Sequence, residues 1–247
     1  MTYTIPTVFN RKFRLHSWEV DRKGRARPDM LFSFMLDSAW AHANNSEYSY
    51  DALREEGQLW VLSRFLAKIV KLPSWDEEIT VETWGKGTDK LFGLRDFAIY
   101  SGSGQKIVSA TSAWLVIDRK TSRIQRIDLE HSNFPLQADK HEIETKLGRI
   151  EEREAVRTGF EYVVRNTDID VNNHVNSSRY LQWVLDSFPP SSQEERSLNS
   201  FEINFLAEAQ TNDRVYTATT ETEEGHYCEV TREGDGVNLC RAVVAYS

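Results

Sequence analysis

Internal repetition limits what this chain can fold into more than any other feature. Leu36-Asp37-Ser38 returns as Leu185-Asp186-Ser187 and Val20-Asp21 as Ile169-Asp170, both 149 positions on, while Phe65-Leu66-Ala67-Lys68 returns as Phe205-Leu206-Ala207-Glu208, 140 positions on. The first half therefore carries nine extra residues between its helix and its next strand. Three short matches in one order, on the same kinds of element, point to a duplicated helix-plus-sheet unit.

The patterning inside each half agrees. Residues 30–42 have helical period, with Leu31, Phe34, Met35 and Ser38 on one face behind Pro28, which suits a first helical turn. Strands follow over 59–70, 78–84, 92–100 and 106–117, rich in Val, Ile, Thr and aromatics, the last two joined by Ser-Gly-Ser-Gly. From 128 to 154 the chain is charged and weakly periodic, which predicts a connector with one solvated helix. The pattern then restarts, with a strand over 160–165, a helix over 177–188 stopped by Pro189-Pro190, and strands over 201–208, 214–221, 226–232 and 237–245. A helix followed by antiparallel strands, twice, is an α+β arrangement. We expect an N-terminal domain over 1–127, a linker over 128–154 and a C-terminal domain over 155–247.

A net charge of -8 argues against a general nucleic-acid binder, which needs a positive field. The N-terminal residues lack the apolar core of a signal peptide, and no stretch is apolar enough to span a bilayer, so the expected location is cytoplasmic, away from membranes. Cys228 and Cys240 are the only cysteines and flank a Gly-Asp-Gly turn; two small buried residues on neighbouring strands is the plain reading, and a cysteine-rich metal site is excluded.

Chemistry concentrates in the loop before the second helix, where Asp168, Asp170, Asn172, Asn173, His174 and Asn176 fall within nine residues. Turn formation and helix capping account for the Asp and Asn residues. They do not account for the histidine, which stands where a helix N-terminus can hold the negative charge of an acyl intermediate; a solvated or capping His remains the alternative. The first half has Gly24 and Arg25 at the places of Asn173 and His174, and Lys68 at the place of Glu208. One working copy and one copy kept for shape fit that asymmetry.

Four stretches resemble the plant-type acyl-ACP thioesterase family and its bacterial relatives: residues 168–176 with Tyr180 and Trp183, residues 59–64, Pro73-Ser74-Trp75, and residues 112–117. The resemblance runs from about Phe13 to Val244. It implies a tandem double hot-dog, each half a long helix wrapped in an antiparallel sheet, with catalysis in the C-terminal copy. It also implies hydrolysis of fatty acyl-[acyl carrier protein], without cofactor or metal, with Asp170, Asn172, His174 and Glu208 catalytic. Many plant members have a cysteine after that glutamate, whereas this chain has Ala209, so water attack is the expected route.

In that reading Glu208 and His174 position water, Asn172 orients water or carbonyl, Asp170 fixes His174 or its loop, and N–H groups after His174 face the oxyanion. The N-terminal copy would set chain length, with Met30, Phe34, Trp60 and Phe65 as acyl-chain contacts competing with a plain core role. Lys86, Lys90, Arg95, Arg119, Lys120, Arg123 and Arg126 form the densest basic run, a docking patch for acidic carrier protein or an ordinary solvated surface. An acyl-CoA thioesterase of the same fold, a non-catalytic acyl-CoA sensor and a dehydratase are the rival expectations, and two fused copies leave room for a further homodimer.

Overall fold

Among the described residues, each half sets its longest helix beside five antiparallel strands taken in the same order. The computed structural model describes residues 5–44, 46–188 and 197–247. The expected helix stop at Pro189-Pro190 lies outside them. The chain divides into two compact units, Met1–Leu147 and Gly148–Ser247.

In the first unit the elements are β1 (Phe9–Arg14), α1 (Pro28–Ala43), α2 (Tyr50–Glu55), β2 (Gln58–Ile69), β3 (Glu78–Asp89), β4 (Phe92–Tyr100), β5 (Lys106–Asp118) and β6 (Ile124–Gln125). The sheet order is β1-β3-β4-β5-β2, with β6 pairing β5. Pro28 opens α1 as expected, because its fixed φ suits the first turn and its missing N–H has no partner to lose there. The face turned to the sheet carries Leu31, Phe32, Met35, Ser38, Ala39 and His42. Phe32, not Phe34, is the central residue: its ring meets Phe65 edge-on at 4.6 Å, and Phe65 meets Phe97 at 5.7 Å. Phe34 lies at the flank, stacked on Phe13 at 4.4 Å.

In the second unit the elements are β7 (Val156–Val163), α3 (Ser177–Asp186), β8 (Leu198–Phe205), β9 (Arg214–Thr222), β10 (Gly225–Arg232) and β11 (Asn238–Tyr246). The order β7-β9-β10-β11-β8 repeats that of the first unit, strand for strand. Tyr180, Leu181, Trp183 and Val184 form the buried face of α3. Each unit is thus a hot-dog, and the pair is the double hot-dog expected from the sequence. Cys228 and Cys240 are free and fully buried on the paired strands β10 and β11.

The expected solvated helix in the connector is absent. Residues 128–147 instead run as an irregular strap over the first unit. Leu129 and Phe134 join Leu53, Val116 and Ile127 in a buried cluster. The strap's backbone is tied at intervals: Gln137 N donates to Gly85 O at 2.7 Å, the Trp84 indole N–H to Lys140 O at 2.8 Å, and Glu142 N to Asp96 Oδ2 at 2.8 Å. A Cβ at Gly85 would meet the Phe134 ring at 2.8 Å, so only glycine lets the strap approach there. Apolar anchors separated by polar stretches give no helical face to bury, which is why the charged composition misled. Among the described residues no helix is long and apolar enough to cross a membrane.

Candidate active site

The loop from Arg165 to Asn176 is built almost entirely from short backbone and Asp/Asn hydrogen bonds. A 3-10 turn at Asn166–Asp168 opens it. The buried Asp168 carboxylate accepts from Arg165 N at 2.7 Å and from the Tyr162 hydroxyl at 3.3 Å, and pairs with Arg179 at 3.2 Å. Its carbonyl accepts from Asn176 N at 2.9 Å, pinning the start of α3 to the turn. Asp168 is therefore a structural residue. Asn176 caps α3, its side chain accepting from Ser178 N at 2.9 Å.

Between these anchors the chain makes a tight excursion. Asp170 N donates to His174 O at 2.8 Å and Asn173 N to Asp170 O at 3.0 Å, with Asn173 in the left-handed region at φ 65°. Asp170 Oδ1 accepts from Asn172 N at 2.8 Å and His174 N at 3.3 Å. Of the two roles expected for Asp170, the contacts are those of fixing the loop. Asn172 Oδ1 is buried and has no hydrogen-bond partner among the described residues.

His174 leaves this loop with its ring partly covered, and its Nδ1 stands 3.2 Å from Glu208 Oε1. Nε2 has no partner among the described residues. Glu208 is not on a strand, contrary to the expected strand over 201–208: β8 ends at Phe205, and the chain turns away there because Leu206 N and Ala207 N both donate to Leu239 O, at 2.9 and 3.2 Å. Two side chains hold the segment beyond. Ala209 N donates to the Tyr180 hydroxyl at 2.9 Å, and Arg232 Nη1 donates to Glu208 O at 3.0 Å. Burial raises the Tyr180 hydroxyl well above the ordinary tyrosine range, so it stays protonated. Sequence reasoning assigned no role to Tyr180 or Arg232; their contacts cross from helix and strand to a distant loop, and only Tyr180 had a signal, its place in the family-like stretch after residues 168–176.

Three N–H groups after His174 are engaged inside the unit: Asn176 with Asp168 O, Ser178 with Asn176 Oδ1, and Arg179 with Asn176 O at 2.9 Å. These three backbone donors are thus already engaged before any substrate is considered. Among the described residues no group of His, Cys, Asp and Glu is arranged to hold a metal ion.

The first unit repeats the scaffold without the chemistry. Asp21 N donates to Arg25 O at 2.7 Å and Gly24 N to Asp21 O at 2.9 Å, with Gly24 at φ 70°. Asp21 Oδ1 accepts from Lys23 N and Arg25 N at 2.8 and 2.9 Å. The bridge Val20 to Ala26 matches the bridge Ile169 to Val175. Where His174 turns to a carboxylate on another segment, Arg25 folds back on its own loop, donating through Nε and Nη2 to Asp21 Oδ2 at 3.1 and 2.8 Å. Partial burial alone would raise the Asp21 carboxyl, but these hydrogen bonds hold it below its usual range. Lys68, at the place of Glu208, is exposed on β2.

The four expected acyl-chain contacts all lie in the first unit. Phe65 is fully buried in its core. Met30, Phe34 and Trp60 are half-buried, with the Trp60 indole N–H donating to Tyr48 O at 2.9 Å.

Two family models match the chain: the acyl-ACP thioesterase N-terminal domain over residues 6–133 and the acyl-ACP thioesterase C-terminal domain over residues 151–247. Among curated proteins, the chain is 27% identical over 229 residues to the chloroplastic oleoyl-acyl carrier protein thioesterase 2 of Arabidopsis thaliana, and 26% over 219 residues to a chloroplastic palmitoyl-acyl carrier protein thioesterase of Cuphea hookeriana. These alignments take in 86% and 81% of this chain, which spans only 62% and 52% of the two relatives. Among solved structures, an acyl-ACP thioesterase from Bacteroides thetaiotaomicron is 26% identical with a TM-score of 0.82, each chain covered to 98%. The 12:0-ACP thioesterase from Umbellularia californica shares the fold at 23% identity, with a TM-score of 0.79 and 98% and 97% of the two chains covered.

Proposed function

Since the chain belongs to the acyl-ACP thioesterase family, we propose that it hydrolyses the thioester of fatty acyl-[acyl carrier protein], releasing free fatty acid and carrier protein. The observation that carries the reading is the 3.2 Å approach of His174 Nδ1 to Glu208 Oε1, two residues 34 positions apart in sequence and both reachable from solvent.

A thioester has weak resonance and a good leaving group, so an activated water and donors for the oxyanion suffice. The Glu208–His174 pair takes a proton from water as its oxygen bonds to the acyl carbon. The amide of Asn172, whose Oδ1 is left without a partner among the described residues, is assigned the orienting of water or carbonyl. Asp170 holds the loop that carries both. The tetrahedral intermediate then expels the pantetheine thiolate, which recovers the proton from the same pair. Ala209 has no nucleophile to offer, and burial pushes the Cys228 thiol up to about 12, so neither supports a covalent route.

The N-terminal domain, 1–127, is assigned the choice of chain length, the linker 128–154 joins it to the rest, and the C-terminal domain, 155–247, is assigned catalysis. Met30, Phe34 and Trp60, half-buried, are assigned contact with the acyl chain, together with the buried Phe65.

The test is fatty acid release by the purified chain from a panel of acyl carrier proteins, with the same acyl groups on CoA beside them. We expect free acid without enoyl product, and Glu208→Ala to lower kcat about 10²- to 10⁴-fold. Alanine at Glu208 within a fewfold of normal, or an unsaturated product, would sink the reading.

A further inference from the structure

Of the seven cations in the densest basic run, the fold removes two from the surface. Lys86 is buried against Asp96 at 2.9 Å, and Arg95 is buried with its guanidinium on His42 and Thr83. The other five, Lys90, Arg119, Lys120, Arg123 and Arg126, are all exposed, and none makes an ion pair among the described residues.

Strand register gathers these five. Lys90 is at the tip of the β3–β4 hairpin, which closes where Asp89 pairs Phe92. Beside it, β4 leaves β5 at the Gly93 to Trp114 pair, and β6 takes its place two residues on, pairing Gln125 with Val116 and Ile124 with Ile117. The β5–β6 hairpin, closed by Asp118 N donating to Arg123 O at 2.9 Å, therefore projects from the same end of the sheet. Residues 119–126 hold four cations and no acid in a chain of net charge -8. Ile124, 47% exposed, stands among them, and Leu91, 42% exposed, beside Lys90.

Acids border this face too, Asp118 feeling the charge of Lys120 and Asp128 that of Arg126. Asp118 Oδ1 accepts from Lys120 N, Thr121 N and the Thr121 hydroxyl at 2.8 to 3.0 Å. Asp128 lies 2.8 Å from His131 Nδ1, and Glu130 accepts from the Thr88 hydroxyl at 2.8 Å. Asp89 on the first hairpin and Glu55 and Glu56 at the end of α2 are exposed, so the positive surface is the β5–β6 hairpin with Lys90, not the whole end of the unit.

We propose that this hairpin face docks the acidic carrier protein, its cations meeting carboxylates while Ile124 and Leu91 supply apolar contact. The proposal rests on the thioesterase reading for the identity of the partner. Charge complementarity is its warrant: the long-range force between two acidic molecules is repulsive, and only a local positive face reverses it inside a Debye length of about 8 Å at physiological salt.

The experiment pairs Lys120→Glu/Arg123→Glu with a control of equal charge change on exposed lysines elsewhere, Lys71→Glu/Lys146→Glu. Binding of fluorescent holo-carrier protein is read by anisotropy, and hydrolysis is measured for one acyl chain on carrier protein and on uncharged pantetheine. We expect the hairpin variant to bind at least 10-fold more weakly at low salt, to lose most of the wild type's salt dependence, and to raise KM for the carrier-protein substrate while acyl-pantetheine hydrolysis is unchanged. Carrier binding equal to wild type, an equal loss in both variants, or an effect confined to self-association of the chain overturns the proposal. Wild-type binding lost in the hairpin variant, with no hydrolysis of either substrate by wild type, would keep the docking face and reject the thioesterase reading.

Discussion

A buried acceptor without a donor costs about 1–3 kcal/mol, so the unpaired Oδ1 of Asn172 calls for a compensating use. In the proposed reaction that use is contact with water or carbonyl, made only when substrate is bound. Fold and function then pull in opposite directions at this residue. Asn172→Ala should leave the melting temperature unchanged or raise it, because the loop is held by Asn172 N and not by its side chain, while kcat falls about 10²-fold. Thermal unfolding beside steady-state kinetics checks this, and a variant that loses stability and activity together would make the amide a structural group. At this scale the sequence was legible where chemistry is local. Asp168, Asp170 and Asn176 act through donors within eleven residues of themselves, which Asp and Asn composition anticipates. Glu208 was visible through the family resemblance and its repeat partner Lys68, and Arg232 not at all, because its hydrogen bond to Glu208 O joins residues 24 apart through a fold that had first to bring them together.

Elements were read well where side-chain type and turn composition coincide, as in β4 and β5, and poorly where tertiary contact decides. β1, Phe9–Arg14, has only two aromatics, Phe9 and Phe13, among polar and basic residues, too little pattern to be seen, and becomes a strand because β3 pairs it from Phe9 to Arg14. The strap after β6 shows the same dependence, and its packing creates a pH-sensitive join between elements. His42, in the last turn of α1, has Nδ1 2.9 Å from Arg95 Nη1 on β4 and Nε2 2.7 Å from Pro6 O, and Arg95 in turn lies over the strap's Phe134 ring at 5.5 Å. Among the described residues Arg95 is the charged group against the imidazole, with no acid offsetting it. Burial first, and the Arg95 charge second, lower His42 to about 4. The neutral ring is the form that can accept from Arg95 and donate to Pro6. Unfolding returns the group to its ordinary value near 6.5, so between these two values the unfolded chain binds more protons and stability falls as pH falls. The contribution is complete above about pH 6.5 and is lost towards pH 4, on the order of 3 kcal/mol. Denaturant unfolding at pH 7, 5.5 and 4 should therefore show a smaller acid loss in His42→Gln than in wild type. Parallel slopes for the two proteins would remove His42 from the account.

For the whole molecule, the repeat was legible from three short matches, yet its depth was not. The two loops agree bond for bond, from the Val20 and Ile169 bridges to the left-handed Gly24 and Asn173, although they share few side chains. That is possible because the hydrogen bonds are made by backbone and by one aspartate per copy, Asp21 or Asp170. What differs is the residue that leaves the loop. An imidazole at 174 reaches outward to a carboxylate, while a guanidinium at 25 is consumed by the aspartate of its own turn. Conserved scaffolding with divergent tips separates two hypotheses that the fold alone cannot: a second reactive loop, or a copy that only shapes its unit. The partly exposed Arg25 to Asp21 pair is worth about 0–1 kcal/mol, so Arg25→Ala should fold normally. If the first copy is only a shaping element, kcat/KM on acyl carrier protein stays within about twofold of wild type for Arg25→Ala, whereas His174→Ala lowers it about 10²-fold or more. Kinetics on both variants at matched folded fraction decides the matter, and a loss at Arg25 approaching that at His174 would give the first loop a share in turnover that its side chains do not suggest.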